Sequence, residues 1–364
     1  MNYICSNCGM SVSVTTRQAK CPCGGLWDLD FSPPKFSFDE IDRDEWSMFR
    51  YRKYMAVSDD IWRDISLGEG MSPVVRLDEN VLLKMDWFMP TLSYKDRGAA
   101  VLMSHCKEIG VDYVVQDSSG NAGNSVAAYA GKAGIACEIF VPEGTSPRKI
   151  AMIRAHGAHC TVVPGTRDHC ADVCREKVEK EGVYYANHVY NPFFYEGTKT
   201  YIYEVFEQLH RMPKHILIPV GNGTLFLGAI HALEHLLWSG VISQMPQILA
   251  VQSENCDPLL QAAVQGINQP VRVVPRPTLA EGIAIGSPMR GTAILAYARK
   301  YHVKFIHAPE NRILEARAAL AKKGVYCEHT TAANYAAYMQ YCERNGVAED
   351  CLITMCGAGL KSDH

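Results

Sequence analysis

Pro90-Thr91-Leu92-Ser93-Tyr94-Lys95-Asp96-Arg97-Gly98 sets one lysine among a serine, an aspartate and an arginine. The stretch follows the apolar run Val81-Leu82-Leu83 and precedes a helical pattern over Ala99–Lys107. Lys95 is therefore expected near a strand-to-helix junction, where a side chain can face a cleft. A lysine so placed can form a Schiff base with a carbonyl cofactor, because burial lowers its pKa enough to make the amine reactive. A lone Lys-Asp pair would read instead as a solvated ion pair, so the rest of the chain has to decide between the two.

Three other segments do. Asp117-Ser118-Ser119-Gly120-Asn121-Ala122-Gly123-Asn124-Ser125 follows the strand-like Val111–Gln116 and opens a helix over Val126–Lys132. Pro219-Val220-Gly221-Asn222-Gly223-Thr224 lies between a strand at Ile216–Ile218 and a helix from Leu225, and Thr354–Lys361 carries Cys356-Gly357-Ala358-Gly359 near the C-terminus. Small residues at a helix start let backbone N–H groups close around an anion such as phosphate. In this order and spacing the four segments resemble the fold-type II enzymes that use pyridoxal 5′-phosphate (PLP). Within that group the chain resembles threonine synthase and its relatives over almost its whole length, and Ser-x-Lys-Asp-Arg-Gly is the most specific block.

The bulk properties agree with such an enzyme. At 364 residues the chain can build two lobes and a small appendage. With 21% charged residues and a net charge of −3, it has no electrostatic reason to take nucleic acid or an anionic membrane as its main partner. No stretch reaches the roughly 20 apolar residues of a membrane span, and Met1-Asn2-Tyr3-Ile4-Cys5 lacks a signal-peptide layout. Fourteen scattered cysteines suit a reducing compartment, and a cytoplasmic protein is expected.

Cys5-x-x-Cys8 and Cys21-x-Cys23, the latter followed by Gly24-Gly25, can close a tetrahedral structural zinc site. A module of about 30 residues rarely folds without such a staple. The other reading is a redox pair or unrelated thiols. N-terminal zinc ribbons of the threonine synthase family resemble this arrangement.

From Val81 onward, short apolar runs alternate with helical patterns. Strands are expected at Tyr113–Gln116, Cys137–Val141, Cys160–Val163, Val183–Ala186, Ile216–Val220, Ile248–Gln252, Lys304–His307 and Leu352–Met355. Such alternation argues for an α/β fold with parallel sheets covered on both faces. Asp39–Lys53 is read as a helix and Ser66–Pro73 as a turn-rich loop resembling the family's Gly-Glu-Gly-x-(Thr/Ser)-Pro segment. By the family's pattern the zinc ribbon covers 1–30, a small lobe 88–185, and a large PLP-binding lobe 31–87 with 186–364.

The resemblance also implies roles. Lys95 carries the cofactor and then moves protons at the substrate carbons. Asn121 meets the ring hydroxyl, while Gly221, Asn222, Gly223 and Thr224 cradle the phosphate. Ser118, Ser119 and Gly120 belong to the loop that receives the substrate carboxylate. Cys356 faces the pyridine nitrogen where the family usually has Thr or Ser. It reads either as a functional thiol or as a small buried hydrophobe, with Thr354 a substitute on the same strand face. The family's phosphate-gripping arginine, two residues before Glu196, is Phe194 here, and a frequent threonine is Ala122. Lys199, Arg148 and Lys149 are the nearby cations that could compensate. Glu281 is either a cleft acid or a carboxylate at a helix start. The expected activity is a threonine synthase-like lyase acting on a small L-amino acid, O-phosphohomoserine to threonine and phosphate first. A serine/threonine ammonia-lyase or β-replacement enzyme is the alternative, and a non-catalytic PLP and zinc-ribbon binding protein a third. A homodimer is expected.

Overall fold

The continuous apolar runs become strands, and the central ones are buried on both faces. In the computed structural model, which describes residues 1–58 and 60–361, thirteen strands form three sheets. Asp59 and residues 362–364, which the expected large lobe includes, lie outside the described residues. β1 (Asn2–Cys5), β2 (Ser11–Ser13) and β3 (Trp27–Leu29) make a small antiparallel sheet in the order β2-β1-β3. β4 (Val74–Arg76) and β5 (Val81–Lys84) join β10 (His215–Pro219), β11 (Gln247–Ser253), β12 (Lys304–Ala308) and β13 (Cys351–Thr354) in the order β12-β11-β10-β13-β5-β4. That sheet is parallel except for the β4–β5 edge pair. β6 (Tyr113–Gln116), β7 (Ala136–Pro142), β8 (His159–Val163) and β9 (Tyr184–Tyr185) form a second parallel sheet, ordered β8-β7-β6-β9. β5 and β13 are buried at every position, as expected where helices cover both faces of a parallel sheet. No described helix is long and apolar enough to cross a membrane.

The helix that carries Lys95 starts there, four residues earlier than the apolar pattern suggests, and runs Lys95–Glu108. Asp96 explains the early start. Its carboxylate accepts hydrogen bonds from the Thr91 amide at 2.6 Å and the Thr91 hydroxyl at 2.5 Å, folding the preceding turn back onto the helix. Arg97, one residue on, is fully buried. It donates to Asp86 at 2.6 and 3.0 Å and to Glu204 at 2.5 and 2.7 Å, while Lys84 donates to Glu204 at 2.8 Å. The Arg97, Asp86, Glu204 and Lys84 side chains are all 0% exposed. Burial alone would raise Glu204, but Arg97 and Lys84 outweigh it and hold the carboxyl at about 2. Gly98 and Gly197 let this helix cross Phe193–Leu209 in close contact. A Cβ at Gly98 would lie 2.2 Å from the Phe194 ring, and one at Gly197 would lie 1.9 Å from the Arg97 carbonyl oxygen.

The helix expected over Asp39–Lys53 is instead two 3-10 turns, Phe38–Glu40 and Met48–Tyr54. The polar residues between them bond their own backbone. Asp42 accepts from the Asp44 amide at 3.1 Å, Glu45 from the Ser47 amide at 2.8 Å, and Ser47 from the Phe49 amide at 3.2 Å. Side chains of this kind compete with helical hydrogen bonding.

Two side chains fasten the N-terminal sheet: the Tyr3 hydroxyl lies 3.3 Å from the His105 ring nitrogen, and Arg290 reaches across from the large sheet's side. Buried Arg290 donates to the Trp27 carbonyl at 2.6 Å, the Asp28 carboxylate at 2.6 Å, the Val189 carbonyl at 3.0 Å and the Tyr190 carbonyl at 3.2 Å.

Candidate active site

In parallel sheets, ligands sit beyond the carboxyl ends of strands, and here three such ends and one helix start converge. The turn after β6 brings Ser118, Ser119 and Gly120 to the start of the helix Asn121–Ala133. Asp117 anchors that turn by accepting from Tyr185 at 2.6 Å and Asn187 at 2.8 Å. The turn after β10 brings Gly221, Asn222 and Gly223 to the start of Thr224–Ser239. Gly223 sits at φ +78, and a Cβ there would lie 2.3 Å from Ile294, so only glycine fits. The first amides of that helix have no intrahelical acceptors and open onto the turn. After β13 the chain places Cys356, whose carbonyl accepts from the Tyr94 amide at 3.1 Å.

Lys95, Ser118, Ser119, Gly120, Asn121, Gly221, Asn222, Gly223, Thr224 and Cys356 all line one cleft of about 430 Å³. The Lys95 amine donates to the Thr224 hydroxyl at 3.0 Å and lies over the Tyr94 ring, 4.6 Å from its centre. Burial pushes the Lys95 amine down to about 7; Cys356 and Glu328 pull the other way, and Arg167 adds to the depression. The Cys356 thiol is driven well above its ordinary value, chiefly by burial and then by Glu328, so it stays protonated. Asn121 donates to Glu328 at 3.0 Å, and burial raises that carboxyl while the Asn121 hydrogen bond opposes it.

Thr354 does not reach the cleft. Its hydroxyl donates to the Leu217 carbonyl at 2.8 Å and lies 2.7 Å from the Tyr201 hydroxyl, so Cys356 alone of the pair lines the site. Phe194 is fully buried beneath the amine, its ring centre 5.7 Å from Lys95 Nζ, while Ala122 lines the cleft. Of the three compensating cations, only Lys149 lines it, paired with Glu281 at 3.2 Å. Arg148 donates to the Leu360 carbonyl at 2.5 Å, and Lys199 is paired with Glu196 at 2.7 Å in a separate cavity. Glu281 begins the short 3-10 turn Glu281–Ile283 and also lines the cleft, where it pairs with Lys149.

Sequence reasoning missed Arg167, His188 and Lys361, which also line the cleft. Arg167 opens the helix Arg167–Glu181, His188 lies in the turn after β9, and Lys361 closes the Thr354–Lys361 segment, in which it has no expected role. Thr166, whose side chain accepts from the His169 amide as a helix cap, was the one local sign that Arg167 begins a helix beside a strand end.

At the N-terminus, Cys5, Cys8, Cys21 and Cys23 bring all four sulfurs within 4.8 Å of one another. Cys5 and Cys23 are 3.5 Å apart and Cys8 and Cys21 3.7 Å. A Cβ at Gly25 would lie 2.5 Å from the Cys5 sulfur, which accounts for glycine behind the second cysteine pair. Four converging thiols on two turns suit a tetrahedral metal.

Comparison with known proteins defines the class this fold and cleft belong to. Residues 65–357 match the family described as pyridoxal-phosphate dependent enzyme, and the chain belongs to that family. Within it, the homologues include the threonine synthase of Methanocaldococcus jannaschii, 28% identical over 98% of this chain and 92% of that protein. The threonine synthase of Mycobacterium leprae is 30% identical over 85% of this chain and 87% of its own length. The fold is shared with the processed form of threonine deaminase isoform 2 from Solanum lycopersicum, at a TM-score of 0.72 and 22% identity, covering 90% of this chain and 86% of that one. The threonine deaminase of T.th. superposes with a TM-score of 0.68 at 25% identity, over 82% and 96% of the two chains. The protein is thus a PLP-dependent lyase of small amino acids, with an α/β fold of the fold-type II kind.

Proposed function

We propose that the chain removes a leaving group from Cβ or Cγ of a small L-amino acid held between a small lobe, 88–185, and a large lobe, 31–87 with 186–364. The observation that carries this is the meeting of a depressed-pKa lysine, the glycine turn at 221–223 and Cys356 in one cleft. Lys95 is the attachment point for PLP and then takes the Cα proton. Asn121 holds the ring hydroxyl, the 221–224 turn the phosphate, and the Ser118–Gly120 turn the substrate carboxylate. PLP, when bound, supplies the electron sink that stabilises charge at Cα. Cys356 faces the ring nitrogen as a neutral thiol and leaves that nitrogen largely unprotonated. In this reading the protein works in the cytoplasm as a homodimer, without nucleic acid or membrane.

O-phosphohomoserine, giving threonine and phosphate, is the first substrate this reading names. A second, ammonia-lyase or β-replacement chemistry on serine or threonine, is favoured by Phe194 lying under the amine and Ala122 presenting a methyl group to the cleft. Purified enzyme offered both panels separates them. Phosphate and threonine from O-phosphohomoserine support the first, and pyruvate or 2-oxobutyrate from serine or threonine the second. Silence on both panels would remove both substrate readings while leaving the PLP chemistry in place.

Cys5, Cys8, Cys21 and Cys23 are proposed to hold a structural Zn²⁺. Four protein ligands leave no open position for a catalytic water. Metal analysis is expected to give one zinc per chain, released by chelator with loss of thermal stability. Protein that is metal-free as purified and equally stable with chelator would end this assignment.

A further inference from the structure

The cleft's cations are not equivalent. Lys149 is engaged by Glu281 at 3.2 Å and Lys361 by the Thr91 carbonyl at 2.5 Å, and Lys95 is claimed by the cofactor under the proposed function. Arg167 has no hydrogen-bond or ion-pair partner among the described residues, yet it lines the cleft near enough to Lys95 and His188 to depress both. It is also badly placed for helix stability. As the first residue of Arg167–Glu181 it puts a positive charge at the positive end of the helix dipole, where an anion is favoured.

His188 stands beside it. The ring lines the cleft and packs edge-on against Phe194, with centroids 5.7 Å apart, and Nδ1 is buried without a hydrogen-bond partner. Buried polar atoms left without partners are uncommon and ask for one. An oxyanion between the two residues would take Arg167's charge and hydrogen-bond donors and accept from the imidazole.

We propose that Arg167, with His188 as its neutral neighbour, forms the subsite for an oxyanion at the far end of the substrate, a phosphate ester or a carboxylate. This inference rests on the lyase reading and assigns the specificity-determining charge to the loop after β8. The Phe193–Leu209 helix, where Phe194 stands, does not supply it.

Arg167 is exposed at the cleft mouth, so Arg167→Gln should fold normally. The test titrates PLP-loaded wild-type and Arg167→Gln protein with O-phospho-L-homoserine, L-glutamate, L-glutamine and L-threonine, following the visible absorbance band. A charge-assisted pair lost from a partly wet site predicts half-saturation weakened by about 10-fold or more for the anionic ligands. The neutral pair should change less than about twofold, and Arg167→Lys should recover part of the loss. Whichever of the phosphate ester and glutamate loses more identifies the oxyanion. A band that forms normally, with anionic ligands weakened no more than neutral ones, overturns the subsite alone. Absence of any visible band on adding PLP overturns the parent reading as well.

Discussion

Lys95→Ala is expected to lower turnover by at least about 10³-fold, because one amine serves both as the covalent anchor and as the proton carrier. The protein should keep its stability, since Lys95 lies outside the buried ion network and its one hydrogen bond, to Thr224, sits at the cleft wall. The same amine sets a pH signature. Burial holds it at about 7 rather than near 10.4, so it is protonated and unreactive below that pH and free above it. Cofactor uptake by the apoprotein should therefore be half-maximal near pH 7. A variant that retains a tenth or more of wild-type turnover would remove Lys95 from the chemistry.

Arg97→Leu should produce the largest loss of stability. It strands Asp86 and Glu204 in a dry interior, and breaking one side of a buried ion network costs about 3–5 kcal/mol. Lys84 still holds Glu204 and Ser72 still donates to Asp86 at 2.6 Å, which keeps the loss from growing further. Urea unfolding measures it, and a change under about 1 kcal/mol would show the network to be dispensable. The network also has an acid limit. Glu204 is held at about 2, below its unfolded value, so its contribution is full above the ordinary carboxylate range and fades as pH falls through about 2.

What the sequence makes legible here is local. The central strands of the two sheets are nearly contiguous apolar runs, and the glycine turns at 118–120 and 221–223 sit directly behind β6 and β10, so both could be placed from a few adjacent residues. The Lys95 block is similarly compact, although its helix begins earlier because Asp96 bonds back to Thr91. Arg167 and His188 follow different strands of the smaller sheet, and only the order β8-β7-β6-β9 carries both to one cleft wall. No spacing rule in one dimension records that. Asp39–Lys53 failed for the opposite reason: its helical pattern is local, but so are the side-chain bonds that break it.

Arg290 gives the N-terminal sheet a meaning beyond ornament. One guanidinium grips the backbone on both sides of a seam, with β3 on one bank and the residue after His188 on the other. The small four-cysteine fold thus acts as a footing for one wall of the cleft. A change at its four sulfurs is therefore expected to be felt at Val189, beside His188 of the cleft.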